Sequence, residues 1–328
     1  MGRKFINSLA DRDEVDEVYQ VFGKQLRPNR NGNLYLQVQL CDRTGAMSAR
    51  MWNASDSVFR AFEDGDFVRV AGTAQLYQGA MQVIATHMAK VPKSDVDAEE
   101  FIPESPLDLD KLSRRLSEIL RSITQPSLRA LAETFLMDDA FMRKFCRAPA
   151  GIKNHHAYLG GLMEHVVQLL ELCLRLADLY PTVHRDLLIL GTFLHDMGKT
   201  EELSYDMVFS YTDEGQLLGH IIQAISLLDR KVQEAETLTG EPIPPELVMR
   251  LKHMIISHHG EYEFGSPKLP MTLEAVVLTH LDSLDAKLHN FQQLIREDPN
   301  ADSPWTLYQS GLGRKLYKGL APDANDTP

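Results

Sequence analysis

Seven side chains in the second half of the sequence combine residue types and spacing that could hold divalent metal ions. They are His165, the adjacent pair His195-Asp196, His220, the adjacent pair His258-His259, and Asp282. Neutral imidazoles offer nitrogen lone pairs and carboxylates add charge. That mixture suits Mn²⁺, Fe²⁺, Co²⁺, Ni²⁺ or Zn²⁺, and a shared Asp can bridge two ions. No cysteine accompanies them: Cys41, Cys146 and Cys173 lie far apart with no CxxC pair, which argues against a thiolate zinc site and for reduced intracellular thiols. A single His is more often a hydrogen-bonded structural group than a ligand, and His184, His253, His280 and His289 are read that way. The seven stand out by their order: His, His-Asp, His, His-His, Asp, each in or at the end of an apolar segment of helical period.

Those segments are the elements that must position them. From about residue 108 the apolar period is helical, with Leu109, Leu112, Leu116, Ile119 and Leu120 on one stripe. Longer amphipathic helices are predicted over 157–179, 184–197, 215–236, 244–258 and 271–292. Ligands projecting inward from such helices are a common way to build a metal site in a bundle.

The first ninety residues have a different period. Leu34, Leu36, Val38 and Leu40 alternate with polar or aromatic neighbours, and Met47, Ala49 and Met51 continue the core phase in a third strand. Runs at 15–26, 34–41, 46–52, 67–76 and 81–87, with a short helix over 54–63, follow the order of a five-stranded OB-fold barrel. Such barrels bind single strands through a basic groove and aromatic platforms. Lys24, Arg27, Arg30, Tyr35, Arg50, Trp52 and Tyr77 are the candidates for that surface. The structural alternative is that Trp52 covers the barrel edge, Tyr77 braces a hairpin and the basic loop is a solvated turn. The expected fold is therefore α+β and multidomain: an OB-fold barrel at 1–90, a proline- and acid-rich linker at 91–107, an all-α domain at 108–320, and a disordered tail at 321–328.

Charge follows the same division. The whole chain carries −12, which taken alone argues against a nucleic-acid partner. Residues 1–93 hold 12 basic and 10 acidic side chains, whereas 94–328 hold 22 and 36, so the acidity belongs to the helical part and includes the candidate ligands. The acidic N-terminal run and the lack of a long apolar stretch predict a soluble cytoplasmic protein with no membrane partner. Homo-oligomerisation is compatible with this reading.

His165, His195-Asp196 and Asp282 together resemble the signature of the HD-domain metal-dependent phosphohydrolases, with HDMGK (195–199) as its most recognisable piece. NHHAYLGGLMEH (154–165), GHIIQA (219–224), SHHGEYEFGSPKLPMTLEA (257–275) and HLDSLDAK (280–287) resemble the YhaM family of 3′→5′ exoribonucleases, which also places an OB-fold before its HD domain. The resemblance runs over nearly the whole chain, to GLGRKLYKG (311–319). It implies that His165, His195, Asp196 and Asp282 are primary metal ligands, with Asp196 bridging and catalytic. His220 and one or both of His258 and His259 would hold a second ion. Lys199 would face the scissile phosphate; its alternative role is a cation at a helix C-terminus. His155 and His156 would touch substrate or support ligands, Asp285 would orient a ligand, and Lys287 would meet phosphate or pair with an acid.

The implied cofactor is one or two divalent transition-metal ions, Mn²⁺ first. The implied partner is single-stranded RNA or DNA, and the reaction is hydrolysis by activated water that releases nucleoside 5′-monophosphates. Two other readings stand beside it: an HD phosphohydrolase acting on a nucleotide or cyclic nucleotide with the OB module used for regulation or assembly, and a non-catalytic nucleic-acid-binding protein. The sequence Gly260-Glu-Tyr-Glu-Phe-Gly265 stands where cyclic-di-GMP phosphodiesterases carry GYP, which counts against the first of these.

Overall fold

Alternating burial along five strands closes a barrel in the computed structural model. The model describes residues 3–28, 32–77, 80–97, 100–101, 107–152, 156–205, 209–296, 298, 300 and 303–319. Two compact units result, one formed by Met1–Pro103 with Phe291–Pro328 and the other by Glu104–Asn290. In the first, β1 (Glu14–Pro28), β2 (Leu34–Asp42), β3 (Gly45–Trp52), β4 (Phe67–Tyr77) and β5 (Ala80–Val91) are ordered β1-β2-β3-β5-β4, with α1 (Asp56–Phe59) between β3 and β4. Neighbours pair antiparallel except β3 and β5, which run parallel. Leu36, Val38, Leu40, Ala49, Val70 and Val83 fill the interior. This is the five-stranded barrel expected from the alternation.

The expected linker is partly folded onto that barrel. Phe101 is buried with its ring 4.7 Å from Phe67, and the Arg3 guanidinium lies 4.3 Å over it. Composition alone reads as a spacer here, because a single aromatic anchor in an acidic, proline-rich run leaves no period to detect. The chain from Phe291 onward, which helical periodicity assigned to the second domain, groups with the barrel unit instead. After the helix ends it forms a small ribbon, with bridges Trp305–Tyr317 and Gln309–Arg314 and a Lys318–Asp298 ion pair of 2.7 Å.

The second unit contains α2 (Leu109–Arg121), α3 (Pro126–Leu136), α4 (Asp139–Arg147), α5 (Gly161–Leu179), α6 (Arg185–Leu194), α7 (Lys199–Glu202), α8 (Asp213–Thr239), α9 (Pro245–Ser257) and most of α10 (Leu273–Arg296). A two-stranded ribbon, β6 (Leu203–Ser204) and β7 (Ser210–Tyr211), joins α7 to α8. The core is drawn chiefly from α5 and α6, whose residues 186–194 are all buried. A helix apolar on every side must be surrounded, and α2, α5 and α9 pack against α6.

One buried acid ties this core together. Asp186 Oδ2 accepts hydrogen bonds from Thr124 N (2.8 Å), Thr124 Oγ1 (2.7 Å) and Gln125 N (2.9 Å), satisfying donors at the start of α3. Burial alone would raise its pKa, but these bonds and Arg185 outweigh it and hold the carboxyl below its ordinary value. Asp186→Ala should cost about 2–3 kcal/mol, because two backbone donors are orphaned. A depressed folded pKa stabilises above the unfolded value of about 3.9 and is lost as pH falls through the folded value. The difference between wild type and variant in urea unfolding should therefore shrink below about pH 4.

Candidate metal centre

Two helices end in the same way, and each end delivers a histidine. His195 follows the last residue of α6 and His258 the last residue of α9; their Nδ1 atoms donate to the carbonyls of Thr192 and Ile255, each at 2.7 Å and each three residues back. Terminal helix carbonyls lack backbone partners, so the ring closes the helix while fixing its own tautomer. A carbonyl only accepts, so Nδ1 carries the proton and Nε2 points away with its lone pair. His165, inside α5, donates Nδ1 to Asp285 Oδ2 at 2.7 Å. His220 donates both its backbone N (2.9 Å) and its Nδ1 (3.1 Å) to Glu202 Oε1.

His220 does not sit inside a continuous helix, as its periodicity predicted. Gly219 interrupts α8 at φ 73°, ψ 160°, and the helix restarts at His220. A positive φ suits glycine. The break leaves the His220 N–H without a helical acceptor, and Glu202 supplies one.

The Nε2 atoms converge on Asp196. Its Oδ1 lies 3.5 Å from His220 Nε2 and 3.5 Å from His258 Nε2. Its Oδ2 lies 3.5 Å from His195 Nε2 and 4.0 Å from His165 Nε2, while Asp282 Oδ1 is 3.3 Å from His165 Nε2. Among the described residues two donor triads face Asp196, His165–His195–Asp282 and His220–His258–His259, the donor atoms of each within 4.8 Å of one another; a third group, His156–His165–Asp285, shares His165. Asp196 presents one oxygen to each triad.

The electrostatics free two of the rings and both carboxylates for ligation and keep one ring protonated. Burial pushes His195 and His259 down to about 4, so both rings are neutral near pH 7 and hold a free lone pair. Burial would also lower His165, but hydrogen bonds with Asp282 and Asp285 outweigh it and hold it at about 9. Burial would raise Asp196, yet Lys199, His195, His258 and His220 overcome that and hold it far below the usual carboxylate range; Asp282 is likewise depressed, chiefly by His165. The Nε2 atoms of His195 and His220 and Asp196 Oδ1 are buried without a hydrogen-bond partner among the described residues. Buried acceptors are normally satisfied, so lone pairs aimed at a common space fit a divalent cation.

The remaining expected residues fall in different places. Asp285 and His156 stand behind the ligands: Asp285 Oδ2 is 3.3 Å from His156 Nε2 as well as bonded to His165, and His156 Nδ1 is 2.8 Å from Tyr158 Oη. Lys199, expected to face phosphate, has its Nζ on Asp196 Oδ2 at 2.6 Å. Lys287 is exposed on α10, turned about 140° from Asp282 at 100° per residue. His155 and Arg30 lie outside the described residues. His184, His253 and His280 contact backbone atoms of Leu187, Met271 and Val276, in keeping with their structural assignment. Glu202 was missed entirely. Its partner is eighteen residues away, and only the fold brings them together.

On the barrel, three expected residues form one row across neighbouring strands: Arg27 is paired with Tyr35, and Tyr35 with Trp52. The Tyr35 and Trp52 rings are 5.1 Å apart and Trp52 is exposed. Arg50 belongs to the adjacent row, opposite Gln37. Tyr77 is exposed at the tip of the β4–β5 hairpin, two strands from Trp52 in barrel order. Lys24 is a correction. A bulge at Gly23, with φ 62°, shifts the register and turns Lys24 beneath α1, where its Nζ donates to Phe59 O, Phe62 O and Glu63 Oε2. Simple alternation cannot foresee a bulge, which inserts one residue and re-aims the next.

The family model for the HD domain matches residues 162–287, and that for the OB-fold nucleic acid binding domain (tRNA_anti-codon) matches residues 16–91. The chain is 34% identical over 278 residues to the 3′-5′ exoribonuclease YhaM of Bacillus subtilis (strain 168), covering 84% of this chain and 86% of that protein. It is 35% identical over 291 residues to the protein of the same name from Geobacillus sp. (strain WCH70), covering 88% and 87%. Among solved structures, the second OB-fold domain of replication protein A from Methanococcus maripaludis matches 29% of this chain and 100% of that one, at 17% identity and TM-score 0.22.

Proposed function

The chain belongs to the YhaM family of 3′→5′ exoribonucleases, and from that premise we propose that it is a metal-dependent exonuclease shortening single-stranded RNA from the 3′ end. The observation that carries the reading is Asp196, buried with one oxygen toward each of two donor triads. His165, His195 and Asp282 would hold one divalent ion, His220, His258 and His259 a second, and Asp196 would bridge them. The mixed nitrogen and oxygen donors suit Mn²⁺, Fe²⁺, Co²⁺, Ni²⁺ or Zn²⁺, and we take Mn²⁺ first on the family resemblance. Bound there, such an ion supplies Lewis acidity, raising the acidity of water and offsetting charge on the phosphoryl oxygens.

The protein's own groups set the stage for hydrolysis. Thr192, Ile255, Glu202 and Asp285 each accept from an Nδ1–H and so hold four rings in fixed orientation, and no reorientation is needed when substrate arrives. Lys199 places a fixed positive charge beside Asp196, where negative charge develops during attack. Water adds to the phosphorus of the last linkage, the bond to the 3′ oxygen of the preceding nucleoside breaks, and a nucleoside 5′-monophosphate leaves. The Arg27–Tyr35–Trp52 row of the barrel would hold upstream nucleotides by stacking and backbone charge.

A ladder assay on 5′-labelled single-stranded RNA tests this. Progressive 3′ shortening with Mn²⁺, abolished by EDTA and restored by excess Mn²⁺, is the expected result. Binding without cleavage, or cleavage of mononucleotides alone, would overturn it. Ligation by His165 requires loss of its Nε2 proton, so Mn²⁺ affinity measured by titration calorimetry should rise with pH toward about 9.

A further inference from the structure

Both tryptophans of the chain sit in the barrel unit, and both are built into the same device. Trp52 is paired across strands with Tyr35, and Trp305 is paired across the C-terminal ribbon with Tyr317, at ring separations of 5.1 and 5.0 Å. The two indoles are 45% and 46% exposed. We propose that the ribbon over residues 303–319 is a second stacking platform for single-stranded RNA, with Trp305 and Tyr308 receiving bases and Arg314 and Lys315 receiving phosphates. The proposal rests on the exoribonuclease reading and extends it to a surface that neither metal triad nor barrel uses.

The ribbon closes on one buried pair and leaves its rings outside. Thr306 and Leu316 are buried and hold each other: Thr306 N donates to Leu316 O at 2.9 Å, and Leu316 N donates to Thr306 Oγ1 at 2.9 Å. That pairing leaves Trp305, Leu307, Tyr308 and Tyr317 outward. A cross-strand aromatic pair alone could serve to brace a short ribbon. Tyr308 is not explained that way, since it is 62% exposed and lies outside the Trp305–Tyr317 pair.

Charge selects the partner. Residues 303–319 hold three basic and no acidic side chains in a chain of net charge −12. Lys318 is tied to Asp298; Arg314, whose guanidinium lies 5.4 Å over the Phe291 ring, and Lys315 are exposed. Exposed rings beside cations suit an unpaired polyanion with flat faces, since every base offers a π-surface and every linkage a phosphate.

The two tryptophans make the test direct. In the full chain carrying Trp52→Phe, Trp305 is the sole indole; in Trp305→Phe, Trp52 is. With EDTA present to prevent degradation, oligouridylate should quench Trp305 emission saturably, and dextran sulfate, a polyanion without bases, should not. Tyr308→Ala should weaken oligouridylate binding at least about fivefold, the low end for one lost base stack. An unquenched Trp305 beside a quenched Trp52 overturns the platform and leaves the exoribonuclease reading standing. Equal quenching by dextran sulfate, or unchanged affinity in Tyr308→Ala, also overturns it. If neither indole responds and no 3′ ladder forms, the underlying reading fails too.

Discussion

Asp196→Ala should lower RNA hydrolysis by at least about a thousandfold, since it removes the one group that faces both donor triads. The same substitution has a second consequence. Asp196 and Lys199 form a buried pair, and taking away one member leaves the other charge without compensation, which costs about 3–5 kcal/mol in such pairs. Inactivity could then be mistaken for unfolding. The double variant Asp196→Ala/Lys199→Ala separates the two effects, because it removes the stranded ammonium as well. It should melt above Asp196→Ala yet remain as inactive in the 5′-label ladder assay. A double variant that recovers hydrolysis along with stability would assign Asp196 a structural role only.

That distinction turns on atoms the sequence could not place. The helical period of residues 157–179 and 184–197 made α5 and α6 legible, and with them His165 and the His195-Asp196 step, because apolar burial on a helix leaves a regular trace. The barrel was legible for the corresponding reason at period two. What stayed hidden depends on backbone departures and distant partners. Gly219 breaks α8 without any proline, and Glu202 finds His220 only because the break frees an N–H. Lys24 reads as surface until the Gly23 bulge turns it inward. The C-terminal ribbon is held by single bridges and one ion pair, too few residues to generate a period. Residue type announced the chemistry, whereas precise orientation belonged to carbonyls and carboxylates whose neighbours are set by tertiary packing.

Gly198 brings that point down to one methyl group. It lies in HDMGK, two residues past Asp196, with ordinary helical angles of φ −64° and ψ −18° that alanine adopts readily. Backbone freedom is therefore not the reason for glycine there. A Cβ at Gly198 would stand 1.9 Å from the His220 carbonyl oxygen and 2.9 Å from Ala224 N, both backbone atoms of the restarted α8. Neither can rotate aside, so the helix that carries His220 must move away from the turn that carries Asp196. Overpacking of this kind costs about 1–3 kcal/mol or more, and a 1 Å misplacement of a catalytic group costs about a hundredfold in rate. Gly198→Ala should accordingly lose about a hundredfold in RNA hydrolysis and melt about 2–10 °C lower. Gly191→Ala is the matched control: its Cβ would clash with the Met254 tip, with Cε at 2.2 Å and Sδ at 2.4 Å, while Met254 Cβ stands at an ordinary 3.5 Å, and that flexible side chain can swing away. It should keep most of its activity. If the two variants behave alike in the ladder assay and in thermal melts, close approach of α8 to the His-Asp turn is not what positions His220.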